Sequence, residues 1–420
     1  MQNADDIFAR ARHSTDVEIV AGVKLYREGA GFRGPCPLCK ASAGKTDSGA
    51  FQTDKAKSSW RCFSCHSRPG DVIDLEHLMR SGPGETLRDA ALRILREENI
   101  SPADRRRRQE EMAEAARETE ARKARSRAFK ADIAITLWRE GLPAAGTPVE
   151  TWLRSRGISG TVLAYALTMV RYHPAAYHSG DPARPRTAPA MIGLLMTPFG
   201  PTGGIHATHL SADGASKSAL SPARKCWGPQ TRLDPDGIAR PGGLWLTRPD
   251  GDGPLVVGEG IETSLSAACL TGIPCRVVAT LDLDNLQGGY LTDSRGRVDL
   301  RALEPNPLLP AFTWPEPEEK PWGAPIICLD RDMGPVKIRV AGEDDVDEEE
   351  WLNADDRATL CAALAAAAWI MSGARWIMFA VPPADMDVND QHQAVLANQL
   401  PPELRILPLA QLADRMREPA

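Results

Sequence analysis

Two sets of residues in this 420-residue chain have types and spacing suited to chemistry. The first is Cys36-Pro-Leu-Cys39, followed 22 residues later by Cys62-Phe-Ser-Cys65. Two C-x2-C pairs at this separation supply four thiolates, the donor set of a tetrahedral structural Zn2+ site. The two-residue spacer lets one tight turn aim both sulfurs at one ion. The intervening SGAFQTDKAKSSWRCFSC alternates as a hairpin that would return the second pair to the first. His66 could stand in for a neighbouring cysteine, but four thiolates already close such a site. The second set is acidic. Glu259 ends the apolar run 255–258, Asp330 and Asp332 follow 326–329, and Asp385, Asp387 and Asp390 follow 376–381. Carboxylates at adjacent strand ends can share hard cations such as Mg2+. Two such ions can polarise a phosphoryl group and stabilise a leaving pyrophosphate. Asp282-Leu-Asp284 is a second Asp-x-Asp and a competing metal pair.

Around the cysteines lie Arg33, Lys40, Lys45, Lys55, Lys57, Arg61 and Arg68, interleaved with Phe51, Trp60 and Phe63. Cations meet phosphates and flat rings stack on unpaired bases, so Lys57, Trp60 and Arg61 are candidate contacts to single-stranded nucleic acid. A purely structural zinc ribbon is the alternative. Upstream of the first acid, Lys217, Arg224 and Lys225, with His206 and His209 nearby, are candidates for holding a nucleotide triphosphate or a template backbone. Arg331, inside the Asp-x-Asp, could contact phosphate. Gly44-Lys45-Thr46 imitates the end of a phosphate-binding loop, but position 39 is Cys where that motif needs Gly. With no nucleotide-hydrolase loop of this kind, no fused helicase motor is expected.

These residues need elements to position them. Residues 71–98 read as two helices broken at Ser81-Gly82-Pro83-Gly84, and 102–140 as a long charged helix. Residues 141–250 read as a looser region with strands near 190–196 and 204–210. From 253 onward short apolar strands at 255–258, 276–280, 326–329 and 376–381 alternate with helices at 263–270 and 360–371. That alternation predicts a mainly parallel sheet with active residues at strand C-termini. The expected fold is therefore multidomain, α+β and α/β, with boundaries at 1–98, 99–140, 141–250 and 251–420.

Composition narrows the class. At 42% hydrophobic and 25% charged, the chain is neither disordered nor fibrous. The longest apolar run, 360–371, is too short for a membrane span, which needs about 20 residues. No secretory signal opens the sequence, so a cytoplasmic location is expected. Nine cysteines, an odd number, argue against a disulfide framework. Cys226, Cys269, Cys275, Cys328 and Cys361 read as core residues. The net charge of −6 hides segregation: residues 30–68 carry seven Lys or Arg against two acids, whereas 343–356 carry nine acids and no base. A basic front with an acidic back suits a chain that holds a polyanion and gathers metal.

A Glu-Gly strand end followed by an Asp-x-Asp strand end resembles the Toprim domain of bacterial-type primases, topoisomerases and some nucleases. With the four-cysteine ribbon, and with TWLRSRGI at 151–158, HATHLSADG at 206–214, RKCWG at 224–228 and GEGIETSLSA, the chain resembles DNA primases of phages, plasmids and integrated elements. The resemblance implies a zinc-ribbon template-binding module at 1–98, a helical linker at 99–140, a primase subdomain at 141–250 and a Rossmann-like Toprim domain at 251–420. It implies Glu259 as the catalytic acid, Asp330 and Asp332 as metal-binding acids, and Asp387 and Asp390 as further Mg2+ or Mn2+ ligands. The activity implied is RNA primer synthesis on single-stranded DNA from nucleoside triphosphates, with a replicative helicase supplied in trans. A Toprim nuclease and a non-catalytic single-strand-binding protein are the competing readings. A type I topoisomerase needs a transesterifying Tyr, and no Tyr lies beyond Tyr290.

Overall fold

The computed structural model describes residues 4–28, 31–39, 50–82, 84–97, 102–181, 183–293, 296–315, 323–341 and 347–415. The chain forms two compact units, residues 1–123 and 124–420. The imitation phosphate loop at 44–46 and Lys40 and Lys45 lie outside the described residues. No described helix is long and apolar enough to cross a membrane.

The first unit is built on a five-stranded antiparallel sheet whose spatial order follows the chain: Tyr26–Glu28, Gly31–Gly34, Phe51–Thr53, Ser59–Cys62 and His66–Asp71. Short strands alternate inward and outward, so Phe51, Trp60 and Cys62 turn into the core. Helix Val72–Arg80 starts directly from the last strand. Asp71 caps it, accepting from the amides of Ile73 and Asp74, and Asp74 returns a bond to the Asp71 amide. Val72, Ile73 and Leu75 then pack with Ala90, Ala91 and Ile94 of helix Leu87–Glu97. The long charged segment is one helix, Pro102–Glu140.

The second unit holds an 11-stranded mixed sheet. Its centre is parallel, in the order Arg276–Ala279, Leu255–Gly258, Ile326–Cys328, Met378–Ala380. Antiparallel strands flank this centre, among them Ile406–Pro408 on one side and Gly243–Trp245, Arg184–Thr197, Gly200–His209 and Arg224–Trp227 on the other. The sheet is thus mixed where the sequence pattern suggested a mainly parallel one. Gly243–Trp245 pairs with Arg184–Thr197 on one edge and Arg276–Ala279 on the other, so one continuous sheet crosses residue 250.

The parallel strands are buried on both faces, which explains why they read as unbroken apolar runs. Val256, Val277 and Ala279 pack with Ile261, Leu265 and Ala268 of helix Ile261–Thr271. Leu255, Val257 and Val278 pack on the other face with Ala358, Cys361, Ala362 and Ala365 of helix Ala354–Met371. That helix begins with a capping box between Asn353 and Asp356. Strand Leu255–Gly258 is first in sequence yet central. The chain crosses from it to one neighbour over one face, and later to the other neighbours over the opposite face. This reversal makes the C-terminal ends of Leu255–Gly258 and Ile326–Cys328 a topological switch point, the general binding position of open α/β sheets.

Candidate functional site

The four cysteines meet. Cys36 and Cys39 lie in the turn after Gly31–Gly34, and Cys62 and Cys65 lie in the turn joining the last two strands of the unit. The Cys36 and Cys65 sulfurs are 3.7 Å apart and those of Cys39 and Cys62 are 3.8 Å apart. All four sulfurs lie within 4.8 Å of one another. A Zn–S bond of ~2.3 Å places tetrahedral sulfurs about 3.8 Å apart, so this cage fits one Zn2+. Burial raises the Cys36 and Cys65 thiol pKa values, and for Cys65 the three neighbouring cysteines raise it further. A bound dication favours the thiolates instead.

The aromatic residues of this unit divide by strand alternation. Trp60 was expected to stack on bases, but it is only 1% exposed, stacks on Phe51 at 5.3 Å and donates its indole N–H to Asp71 O. It is a core residue. Lys57 pairs with buried Glu18 and lies over the Phe32 ring, which commits its ammonium to the fold. Arg61 donates to Gln52 and lies over Phe63, with Arg33 also over that ring. Phe63 itself is 55% exposed, so it is the flat ring this unit offers to a partner.

In the second unit, parallel register brings the acidic strand ends side by side. Val257 pairs with Ile327, Gly258 with Ala279 and Cys328 with Ala380, so Glu259, Asp330 and the loop after Ala380 follow at one level. Gly258 has a reason to lack a side chain: a Cβ there would sit 2.6 Å from Ser264 Oγ, where the helix closes on the strand end. The loops are knitted together. Leu281 N donates to Glu259 O, Leu329 N to Ala380 O and Arg331 N to Met386 O. Arg331 forms two bonds to Asp355 and one to Pro382 O, pointing away from its acidic neighbours. It anchors the Asp-x-Asp loop and is not free for phosphate. Leu281 and Asp385 hold left-handed backbone at φ 73° and 58°, a strained choice for residues with a Cβ, in two of the acidic loops.

Asp387 caps helix Val388–Leu396, accepting from the Asp390 amide, and also accepts from Thr263 Oγ1. Asp330 is half-buried at the end of its strand. Its Oδ1 is buried without a hydrogen-bond partner. Burial raises its pKa well above the carboxylate range, and Glu259, Asp387, Asp332 and Asp390 push it the same way. Burial also raises Glu259, with Asp282 next, while Arg224 and Arg357 pull against them. Asp387 and Asp282 are raised, again chiefly by burial. Asp282 caps helix Leu283–Gln287 and sits close enough to Glu259 to repel it. Among the described residues the four cysteines alone form a group of three or more ligand atoms close enough to share one ion, and the carboxylates form no such group. An orphaned buried oxygen amid mutually repelling carboxylates fits Mg2+, which takes hard oxygens and keeps several waters.

This electrostatics predicts a pH-dependent response. Carboxyls raised in the folded state bind more protons folded than unfolded, so the contribution of these groups to stability falls as pH rises from the ordinary carboxylate range toward neutrality. Mg2+ relieves the repulsion. It is expected to raise the melting temperature more at about pH 7.5 than at about pH 5, where protons already occupy the same oxygens. Equal Mg2+ shifts at both pH values would contradict this arrangement.

The upstream cations part company. Arg224 and Lys225 are consecutive on one strand and face opposite sides of the sheet. Lys225 donates to His178 O and lies over Trp227, away from the acids. Arg224 Nη2 bonds both oxygens of Glu262, at 2.8 and 2.9 Å, and Lys217 Nζ lies 2.9 Å from Glu262 Oε1. Glu262 is buried on the first turn of the helix that follows Glu259. The sequence reading assigned Glu262 nothing. The available signal was an acid in the first turn of a helix that is otherwise apolar or small on every side.

The second unit is therefore a mixed α/β domain with acids at its topological switch point, and the first a small β module with four clustered cysteines that fit one metal ion. Residues 128–233 match the family described as "Domain of unknown function (DUF7146)". No curated protein matches the chain. Among solved structures, the RNA polymerase domain of Mycobacterium tuberculosis primase DnaG aligns over 69% of this chain and 87% of that one. The identity is 14% and the TM-score 0.33.

Proposed function

We propose that this protein is a DNA primase that makes short RNA primers on single-stranded DNA by metal-dependent nucleotidyl transfer. The observation that carries the reading is the placement of Glu259, Asp330 and Asp387 at neighbouring strand ends, where they repel one another around a buried Asp330 oxygen that bonds nothing among the described residues. In this reading residues 251–420 are a Toprim domain, residues 141–250 the subdomain preceding it, and 1–98 the template-binding module. Asp330 and Asp332, with Glu259, Asp387 and Asp390, would hold Mg2+ or Mn2+. Such an ion supplies Lewis-acid polarisation of the phosphoryl oxygens and acidifies a bound hydroxyl.

The chain's own residues do the rest. Glu259, with its raised pKa, is suited to take the proton of the primer 3′-hydroxyl. The hydroxyl oxygen bonds to the α-phosphorus, the α–β phosphoanhydride bond breaks, and pyrophosphate leaves. Arg224 and Lys217 offer cationic donors beside the acids for the triphosphate. The template would meet Phe63 with Arg33 and Arg61 over its ring. Strand opening would fall to a separate helicase.

The test is incorporation of labelled nucleoside triphosphates on single-stranded circles, lost in Glu259→Gln. Cleavage of the circles without nucleotides would replace the reading with a nuclease. For the first unit, Phe63→Ala is expected to weaken single-stranded DNA binding roughly five- to hundredfold, the range of one lost base stack. Unchanged affinity in fluorescence anisotropy would remove Phe63 from the template path.

A further inference from the structure

We infer that Glu262 is a positioning residue that holds Arg224 and Lys217 together as a clamp for the polyphosphate chain of a nucleoside triphosphate. The inference rests on the nucleotidyl-transfer reading for the identity of the ligand, and on geometry for the clamp itself. Glu262 is 3% exposed, whereas the side chains of Arg224 and Lys217 remain 46% and 34% exposed. The carboxylate is thus the buried anchor and the cations are its open arms.

The hydrogen bonds show how each arm is held. Arg224 spends only Nη2 on Glu262, and its Nε and Nη1 make no hydrogen bond among the described residues. Lys217 spends one direction of its ammonium on Oε1, and its Nζ also lies over the Trp152 ring, 5.9 Å from the centroid. One negative charge holds two positive ones, so the assembly keeps a net positive charge that faces outward. Without Glu262 the two cations would repel each other and lose their common tether.

The floor of the site points to a missing polar partner. Arg224 pairs with Thr208 across the strands, and Cys226 with His206, so these four side chains share one face. Thr208 Oγ1 and His206 Nδ1 on that face are buried and bond nothing among the described residues. Native proteins rarely leave such atoms unsatisfied. Burial, and then the Arg224 charge, lower the His206 pKa to about 3, so His206 is neutral and leaves the cationic work to Arg224 and Lys217. Burial would raise the Glu262 pKa, but Arg224 and Lys217 bring it down to about 2, so the anchor stays charged. The clamp borders the acidic strand ends, since the Arg224 charge also acts on Glu259.

The probe is inorganic tripolyphosphate with Mg2+, titrated calorimetrically into the full chain, with no turnover needed. Glu262→Gln keeps the shape of the anchor and removes its charge. It is expected to weaken tripolyphosphate binding at least fivefold, to leave binding of a single-stranded oligonucleotide within twofold, and to have no further effect once Arg224→Met and Lys217→Met are present. Arg224→Lys leaves Glu262 in place and keeps the charge but loses the planar fork. It is expected to weaken tripolyphosphate binding at least threefold, and it carries the test if the first variant fails to fold. Unchanged or tighter binding by Glu262→Gln would overturn the inference, because the carboxylate would then be masking the cations. An effect that persists in the Met/Met background, an equal loss of oligonucleotide binding, wild-type binding by Arg224→Lys, or no tripolyphosphate binding by the wild type would also overturn it. Loss of primer synthesis in the wild type, with the clamp results intact, would refute the primase reading and leave a polyphosphate site.

Discussion

Replacing Asp330 by Asn is expected to raise the melting temperature of the metal-free protein by a few degrees and, on the primase reading, to abolish nucleotidyl transfer. The two effects have one cause. Asp330 is half-buried at the end of a central strand, with an Oδ1 that is buried and bonds nothing among the described residues, and with Glu259, Asp387, Asp332 and Asp390 adding like charge. A neutral amide removes a charge that burial and its neighbours disfavour, so the folded state gains. The same change removes a hard anionic ligand, and the activity is expected to fall at least a thousandfold, about 4 kcal/mol in transition-state terms. Glu259→Gln should lose activity comparably. Calorimetry of the metal-free variants, set beside their incorporation rates, checks both halves. A lower melting temperature for Asp330→Asn would mean that the carboxylate is satisfied in the fold, and the strained site would have to be given up.

Chelating the metal that the four cysteines fit is expected to have the second large effect. Removing the metal is expected to abolish hydrogen-exchange protection across 31–39 and 59–71, while strands Leu255–Gly258 and Arg276–Ala279 keep theirs. In the first unit the strands are three to six residues long, and the two cysteine pairs meet at their sulfurs. Metal binding at such sites is folding free energy, with apparent values of about 10–16 kcal/mol in isolated zinc-finger peptides. The second unit has its own cores on both faces of its sheet. Protection that survives chelation in the first unit would show that Phe51, Trp60 and their apolar neighbours hold it without metal.

What could be read from the sequence follows the range of each interaction. The cysteine cluster was legible because two residues between thiols set local geometry, and nothing distant is needed to aim them. The parallel strands were legible because burial on both faces leaves a continuous apolar run, as in Leu255, Val256 and Val257. The sheet's continuity was not. Gly243–Trp245 is three residues long, and its pairing with both Arg184–Thr197 and Arg276–Ala279 leaves no pattern in the chain. Trp60 and Phe63 look alike as aromatic residues beside basic ones, yet three positions along a bulged strand and turn separate core from surface. Arg224 and Lys225 look like one basic patch until strand alternation turns them to opposite faces. Glu262 was invisible for a related reason. Its partners lie far upstream on another strand and a loop, and only the folded sheet brings them to it.

The central claim is that the strand-end carboxylates build a phosphodiester bond. Its most direct measurement is the size of the products formed when the full chain is incubated with single-stranded DNA circles, Mg2+ and labelled ribonucleoside triphosphates. The predicted result is short RNA that requires both template and metal and disappears in Glu259→Gln and Asp330→Asn. Labelled oligomers formed undiminished by both variants, or template shortened with no label incorporated, would contradict it.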